Sequence, residues 1–120
     1  DNSGDEMEKI VEQGLLYDFY GELLTPHQRK IYEDVVIHDL SLSEIAKEQG
    51  ISRQGVHDTV KRCTKALEGY ESRLHLVQKF LSTKERVEQI HLLTGEIRKS
   101  HDVSVLDQIE QISSAILEEL

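Results

Sequence analysis

The sequence predicts an all-α fold, and three observations carry that expectation. Breakers are rare: the 120 residues include one Pro and no Trp, with 38% hydrophobic and 5% aromatic residues, which favours helices over a turn-rich β sandwich. Apolar side chains recur at three- and four-residue intervals along most of the chain, the period of a helix with one buried face. Capping residues stand in front of several of those runs. At this length one domain is expected, with a core able to stabilise itself and little room for a second enzyme-sized lobe.

Taken in order, the first stripe is Leu16, Phe19, Tyr20 and Leu23, on a helix of about 6–24. The preceding DNSGDE is acidic and polar, unlike a basic signal-peptide start or an Arg-rich transit segment, and reads as a frayed leader. Thr25-Pro26-His27-Gln28 opens a second helix, about 26–38, that buries Ile31 and Val35. Thr can cap, Pro suits the first helical position, and Gln three residues after the cap can close a capping box. Asp39-Leu40 breaks the pattern, and Ser41-Leu42-Ser43-Glu44 repeats the capping logic ahead of Ile45 and Ala46. This short third helix stops at Gly50, which enters a left-handed C-cap without steric cost.

Ser52 caps a fourth helix, expected to run unbroken from Arg53 to about Lys79. Its apolar residues are Val56, Val60, Cys63, Leu67, Tyr70, Leu74, Val77 and Leu81, alternating steps of four and three in a heptad seam. Ser82-Thr83-Lys84-Glu85 offers another capping box ahead of Val87, Ile90, Leu93 and Ile97, a fifth helix of about 83–100. Val105, Ile109, Ile112 and Ile116 stripe a sixth, about 104–119. The expected organisation is a head over 1–67 and a helical C-terminal extension over 68–120, continuous through the long fourth helix. A heptad seam cannot stay in water, so its partner is either the fifth and sixth helices folding back or a second copy, a homodimer through the extension.

With 23 acidic and 14 basic residues the net charge is −9, which argues against a surface that wraps nucleic acid on all sides. Enzyme chemistry finds little footing. His27, His38, His57, His75, His91 and His101 include no pair at the i, i+4 spacing that chelates a metal from one helix face. No GxxxxGK[ST] loop and no strand-linked GxGxxG cradles phosphates. No catalytic residue, metal or cofactor is assigned, and Cys63, inside the seam, reads as a small buried hydrophobe. A single cysteine and the lack of any apolar run near the ~20 residues of a membrane span point to a cytoplasmic chain without membrane insertion.

Residues 40–62, LSLSEIAKEQGISRQGVHDTVKR, hold the most information. A short helix, a turn at Gly50-Ile51 and a second helix capped by Ser52 form a helix-turn-helix, in which the first helix buttresses the second. Ala46 is small where the axes approach, while Ile45, Ile51 and Val56 fill the wedge; Gln49 stands where an apolar wedge residue is expected. On the second helix Arg53, His57, Lys61 and Lys65 climb one stripe at i, i+4, with Gln54 beside them. Between Ser52 and Lys65 four basic residues, Arg53, Lys61, Arg62 and Lys65, face one acid, Asp58. Arg53 and Gln54 could reach base edges, and Ser52, Lys61 and Lys65 could contact phosphates. An ordinary solvated helix face explains the same residues, and on the sequence both readings stand.

The stretch from Leu15 to Phe80, with YDFY, LLTPHQR, DLSLSEIA, SRQGVHDTVKR, LEGYE and QKF in order, resembles the YlxM family of bacterial helix-turn-helix proteins. Its head is also similar to the fourth region of sigma factors, although no other sigma region fits in this chain. The resemblance implies a small regulatory protein of the signal recognition particle (protein-targeting) pathway, with the particle's GTPase or its receptor as partner. It also suggests a DNA-binding transcriptional regulator acting on double-stranded DNA. Carried over by motif, the recognition-helix positions are Ser52, Arg53, Gln54, His57, Asp58, Lys61 and Arg62. Gly55 departs from the family's usual Ala, and His57 from its usual Tyr. Residues 84–120 match no family motif, but 102–120 hold five acids and no Lys or Arg, which suits a basic protein or ribonucleoprotein partner as well as plain solvent.

Overall fold

The structure is a computed structural model that describes the backbone of residues 2–120 and the side chains of residues 8, 9 and 11–120. Among the described residues it is all-α, with α1 (Asn2–Tyr20), α2 (Pro26–Tyr32), α3 (Leu42–Gln49), α4 (Arg53–Leu74), α5 (Leu76–Ser100) and α6 (Val105–Glu119). The chain divides into two compact units, Asp1–Val77 and Gln78–Leu120.

In the first unit α1 starts at Asn2, so most of the segment read as a frayed leader is helical, while Asp1 lies outside the described residues. The helix ends at Tyr20 and not near Leu24, because the chain tightens into a 3-10 turn over Gly21–Leu23. Gly21 is buried against the Tyr17 ring, and a Cβ there would meet a ring carbon at 2.7 Å, so no other residue fits without displacing the ring. The local signals after it act as the sequence predicts. Thr25 and Gln28 close the capping box, with Gln28 N–H donating to Thr25 Oγ1 at 3.2 Å and Thr25 N–H to Gln28 Oε1 at 3.1 Å. Ser41 Oγ accepts from Glu44 N–H at 3.1 Å, and Ser52 Oγ from Gly55 N–H at 2.9 Å. Gly50 takes the left-handed C-cap at φ 67°.

Helical structure runs without a break from Pro26 to Ile37, close to the expected 26–38, but it changes type part-way. After Tyr32 the chain widens into a π turn over Glu33–Ile37 and leaves it through Asp39 at φ 52°. That widening carries Asp34 into the interior, 1% exposed. There Oδ1 lies 3.1 Å from His38 Nδ1 and 3.4 Å from Lys30 Nζ, and Oδ2 is buried without a hydrogen-bond partner. No periodicity argument places a carboxylate there, since the extra residue per turn rotates it inward.

The seam of α4 is covered by the head itself. Cys63 and Leu67 are buried with Leu16, Tyr20, Leu24 and Tyr32, and Val56 with Ile31, Ile45 and Ala46. Helices α1, α2 and α3 therefore supply the partner that the sequence reading assigned to the fifth and sixth helices or to a second copy.

The seam also does not stay on one helix. His75 adopts the left-handed conformation at φ 56°, ends α4 at Leu74 and starts α5 at Leu76, not at 83; Ser82 and Thr83 lie inside α5. No Ser, Thr, Asp or Asn stands before Leu76. The caps come from tertiary structure: Leu76 N–H donates to Tyr20 Oη at 3.1 Å, Val77 N–H donates to Glu71 Oε1 at 3.0 Å, and Tyr20 O–H donates to the same carboxylate oxygen at 2.5 Å. A carboxylate at a helix N-terminus is favourable because unpaired N–H groups and the helix dipole both point at it. Val77, 5% exposed, packs into the head core, whereas Leu74 and Leu81 are half exposed. The head accordingly reaches Val77, ten residues beyond the expected boundary at 67.

In Gln78–Leu120, α5 and α6 are linked through His101 at φ 59° and an Asp102 turn. Asp102 Oδ1 accepts from Ser104 N–H at 3.0 Å and from Ser104 O–H at 2.6 Å. Those hydrogen bonds hold the Asp102 carboxyl below its ordinary range. Arg86 of α5 pairs with Glu119 of α6 at 2.7 Å. The expected stripe of α6 is buried at Val105 and partly buried at Ile109, Ile112 and Ile116.

Candidate functional site

The helix-turn-helix occupies Leu42–Leu74. Its tight turn is closed by Ile51 N–H donating to Ala46 O at 3.0 Å, and Ile45, Ala46 and Val56 lock α3 against α4, with Leu42, Ile51 and Val60 packed around them. Burial of these apolar side chains stabilises the pair by ~1.5–3 kcal/mol for each large aliphatic residue. The result is a rigid platform that leaves one face of α4 free.

Every residue singled out on that face is exposed: Ser52, Arg53, Gln54, His57, Asp58, Lys61, Arg62 and Lys65. The basic stripe lies roughly 110° around α4 from the seam, far enough that core packing makes no demand on it. Arg53, Gln54 and His57 line a shallow hollow with Leu42 of α3, and Lys61, Arg62 and Lys65 continue along the helix. Leu42 is a member of that hollow that sequence reasoning missed; it reads only as the first residue after a cap.

Asp58 is held by its neighbours. Gln54 Nε2 donates to its Oδ1 at 2.9 Å, and His57 Nδ1 lies 3.8 Å away. Gln54 and the sole acid of the face are thus paired with each other, while Ser52 Oγ is occupied as an acceptor and keeps its own O–H to donate. The arrangement can present positive charge and hydrogen-bond donors to an anionic surface. It lacks a deep cleft. Among the described residues no three His, Cys, Asp or Glu side chains are placed to hold a metal ion, and no helix is long and apolar enough to cross a membrane. Cys63 is fully buried in the seam, and that burial pushes its thiol above the ordinary value.

Behind the face, the aromatic residues of the head serve the scaffold. Tyr17 stacks on Tyr32 with centroids 5.5 Å apart and donates to Glu33, and Tyr20 holds the start of α5. Burial raises the pKa of all three phenols, with the carboxylates of Glu33 and Glu71 adding to the effect on Tyr17 and Tyr20.

The family model for YlxM / p13 like helix-turn-helix proteins (UPF0122) matches residues 7–108. The chain belongs to that family. It is 43% identical over 105 residues to a UPF0122 protein of Thermoanaerobacter sp. (strain X514), covering 87% of this chain and 90% of the relative. It is 39% identical over 116 residues to one of Acetivibrio thermocellus, covering 93% and 99%, and 44% identical over 106 residues to one of Geobacillus sp. (strain WCH70), covering 88% and 96%. The YlxM / p13 like family is one of helix-turn-helix proteins, and its match runs through the whole of α5 and into the first residues of α6, beyond the stretch in which the sequence shows family motifs.

Proposed function

We propose that this YlxM-like protein is a non-enzymatic regulator that acts by binding in the signal recognition particle pathway, with the helix-turn-helix head as its working part. The particle's GTPase or its receptor is the protein partner. The observation that carries the reading is the exposed α4 face: four cations and one internally paired acid in a chain of net charge −9, on a helix whose other side is committed to the core. Such a face selects a partner surface rich in phosphate or carboxylate, which a ribonucleoprotein particle offers. The test is GTP turnover by the purified particle and receptor with and without this protein. A change in turnover that depends on the protein's concentration supports the reading; no binding and no change would sink it.

A second reading, a DNA-binding transcriptional regulator, is favoured by one observation. Arg53 and Gln54 sit exposed in the first turn of α4, where a helix-turn-helix meets base edges. It predicts that Arg53→Ala and Lys61→Ala weaken binding to duplex DNA, with the Lys61 change lowering the salt slope by about one. Undetectable binding at low salt would count decisively against it.

A further inference from the structure

The head gives up stability in one segment. Asp34 is 1% exposed and its Oδ2 has no hydrogen-bond partner, while Oδ1 meets the exposed side chains of Lys30 at 3.4 Å and His38 at 3.1 Å. A buried carboxylate left partly unsatisfied is costly, and an apolar side chain of similar volume in its place is often neutral or stabilising. Two further departures adjoin it: Glu33–Ile37 leaves α-geometry for a wide π turn, and Asp39 holds a left-handed φ of 52°. Residues that go against local preference together mark a segment kept for a purpose other than stability.

The segment is tied together as a strut. His38 N–H donates to Glu33 O at 2.9 Å and closes the wide turn, and Leu40 N–H donates to Asp34 O at 2.9 Å. The Asp34 carboxylate adds a tie across the same turn through the His38 ring. Leu40 then packs against Ile31, Ile45, Ala46 and Val56, Ser41 caps α3, and Leu42 opens α3 in the hollow it shares with Arg53, Gln54 and His57. A π turn holds one residue more than an α turn. If it relaxes to α-geometry, that residue passes into the connection ahead of Ser41, and the start of α3 loses its fixed register. One residue of helix is ~1.5 Å of rise and ~100° of rotation, enough to take Leu42 out of the hollow.

We infer that Asp34 is a positioning residue for the α4 face: its buried carboxylate holds the wide turn, and the wide turn places Leu42 against Arg53, Gln54 and His57. The inference rests on the reading of that face as the working surface, and it adds a residue behind the face that sets its shape. Asp34 touches no partner itself. It acts through His38 and Leu40 on the start of α3, so its loss alters the hollow and leaves the charge of the face unchanged.

Two substitutions in the full chain separate positioning from plain stability. Asp34→Leu removes the tie to His38 and with it the buried acid, whereas Asp34→Asn keeps a carbonyl oxygen that the His38 ring N–H can reach. The Leu variant should unfold at a urea midpoint equal to or above the parent's, yet shift the Leu42 methyl resonances and bind purified signal recognition particle at least about fivefold more weakly. The Asn variant should keep the parent's Leu42 resonances and bind within about twofold of it. His38→Phe breaks the same tie from its other end and should move the Leu42 resonances as Asp34→Leu does. Unmoved Leu42 resonances in Asp34→Leu or His38→Phe, an Asn variant as impaired as the Leu variant, or a Leu variant whose midpoint falls in step with its binding would each overturn the inference. If the parent itself does not bind the particle, the proposed function fails, and the Leu42 resonances still decide the role of Asp34.

Discussion

Residues 2–77 and residues 78–120 carry apolar stripes of the same period and use them differently. In the head, Val56, Cys63 and Leu67 are fully buried because helices α1, α2 and α3 approach from several sides. In the second unit the stripes of α5 and α6 are buried only at Val105, which still keeps 8% exposure. Periodicity thus identifies which face avoids water and is silent on what covers it. Coverage is a property of the number of elements around the helix, and stability should follow coverage.

The largest test of that contrast is a matched pair of truncations. Leu67→Ala should lower the urea-unfolding free energy of the full chain by about 2–5 kcal/mol, whereas Leu117→Ala in dilute protein should stay within about 0.5 kcal/mol. Equal costs at the two sites would remove the distinction between the units.

Tyr20→Phe comes next, because one hydroxyl holds both Leu76 N–H and the Glu71 carboxylate. Its loss should cost about 1–3 kcal/mol in chemical denaturation, since partly buried groups are left unpaired. If Tyr20→Phe unfolds like the parent, the start of α5 is held by packing and not by this tertiary cap. The same residue explains how much of the fold was legible. Caps made by a residue three positions away, at Thr25, Ser41 and Ser52, and the stop at Gly50, are readable because donor and acceptor are neighbours in sequence. The break at His75 is not, because its caps come from Tyr20 and from Glu71 once α1 has packed on α4; the heptad simply continues through it. The burial of Asp34 is hidden for a related reason, since a π turn shifts the phase that periodicity assumes. The α4 face was readable because exposure follows from its angle to the seam, whereas Leu42 joins the hollow only through the α3–α4 packing.

The pH dependence separates the units by composition. All four tyrosines, Tyr17, Tyr20, Tyr32 and Tyr70, lie in the head, and burial raises Tyr17, Tyr20 and Tyr32. An acid whose folded pKa is raised contributes stability that is complete below its unfolded value, about 10, and is lost as pH rises through the folded value. Head stability should therefore be flat in this respect up to pH ~10 and fall above it, with tyrosinate absorbance rising as helicity falls. Ionisation of Tyr17, Tyr20 and Tyr32 near pH 10 with no loss of helicity would contradict the burial account.

The smallest effect is expected at Gly55, in the first turn of α4. An added Cβ gains helix propensity worth up to about 1 kcal/mol, but it would lie 3.2 Å from the capping Ser52 Oγ. Gly55→Ala should raise the thermal midpoint only slightly, by less than 1 kcal/mol of stability; a clear loss would mean that the cap cannot shift to accommodate it.

The central claim is that the exposed basic face of α4 is the working surface of this YlxM-like protein. Its most direct test is binding of the full chain to purified signal recognition particle, compared with a Lys61→Glu/Lys65→Glu variant whose helicity and unfolding midpoint match the parent. The account predicts binding by the parent and at least about tenfold weaker binding by the variant, with the difference shrinking as salt rises. Equal binding by both proteins, or by neither, would contradict it.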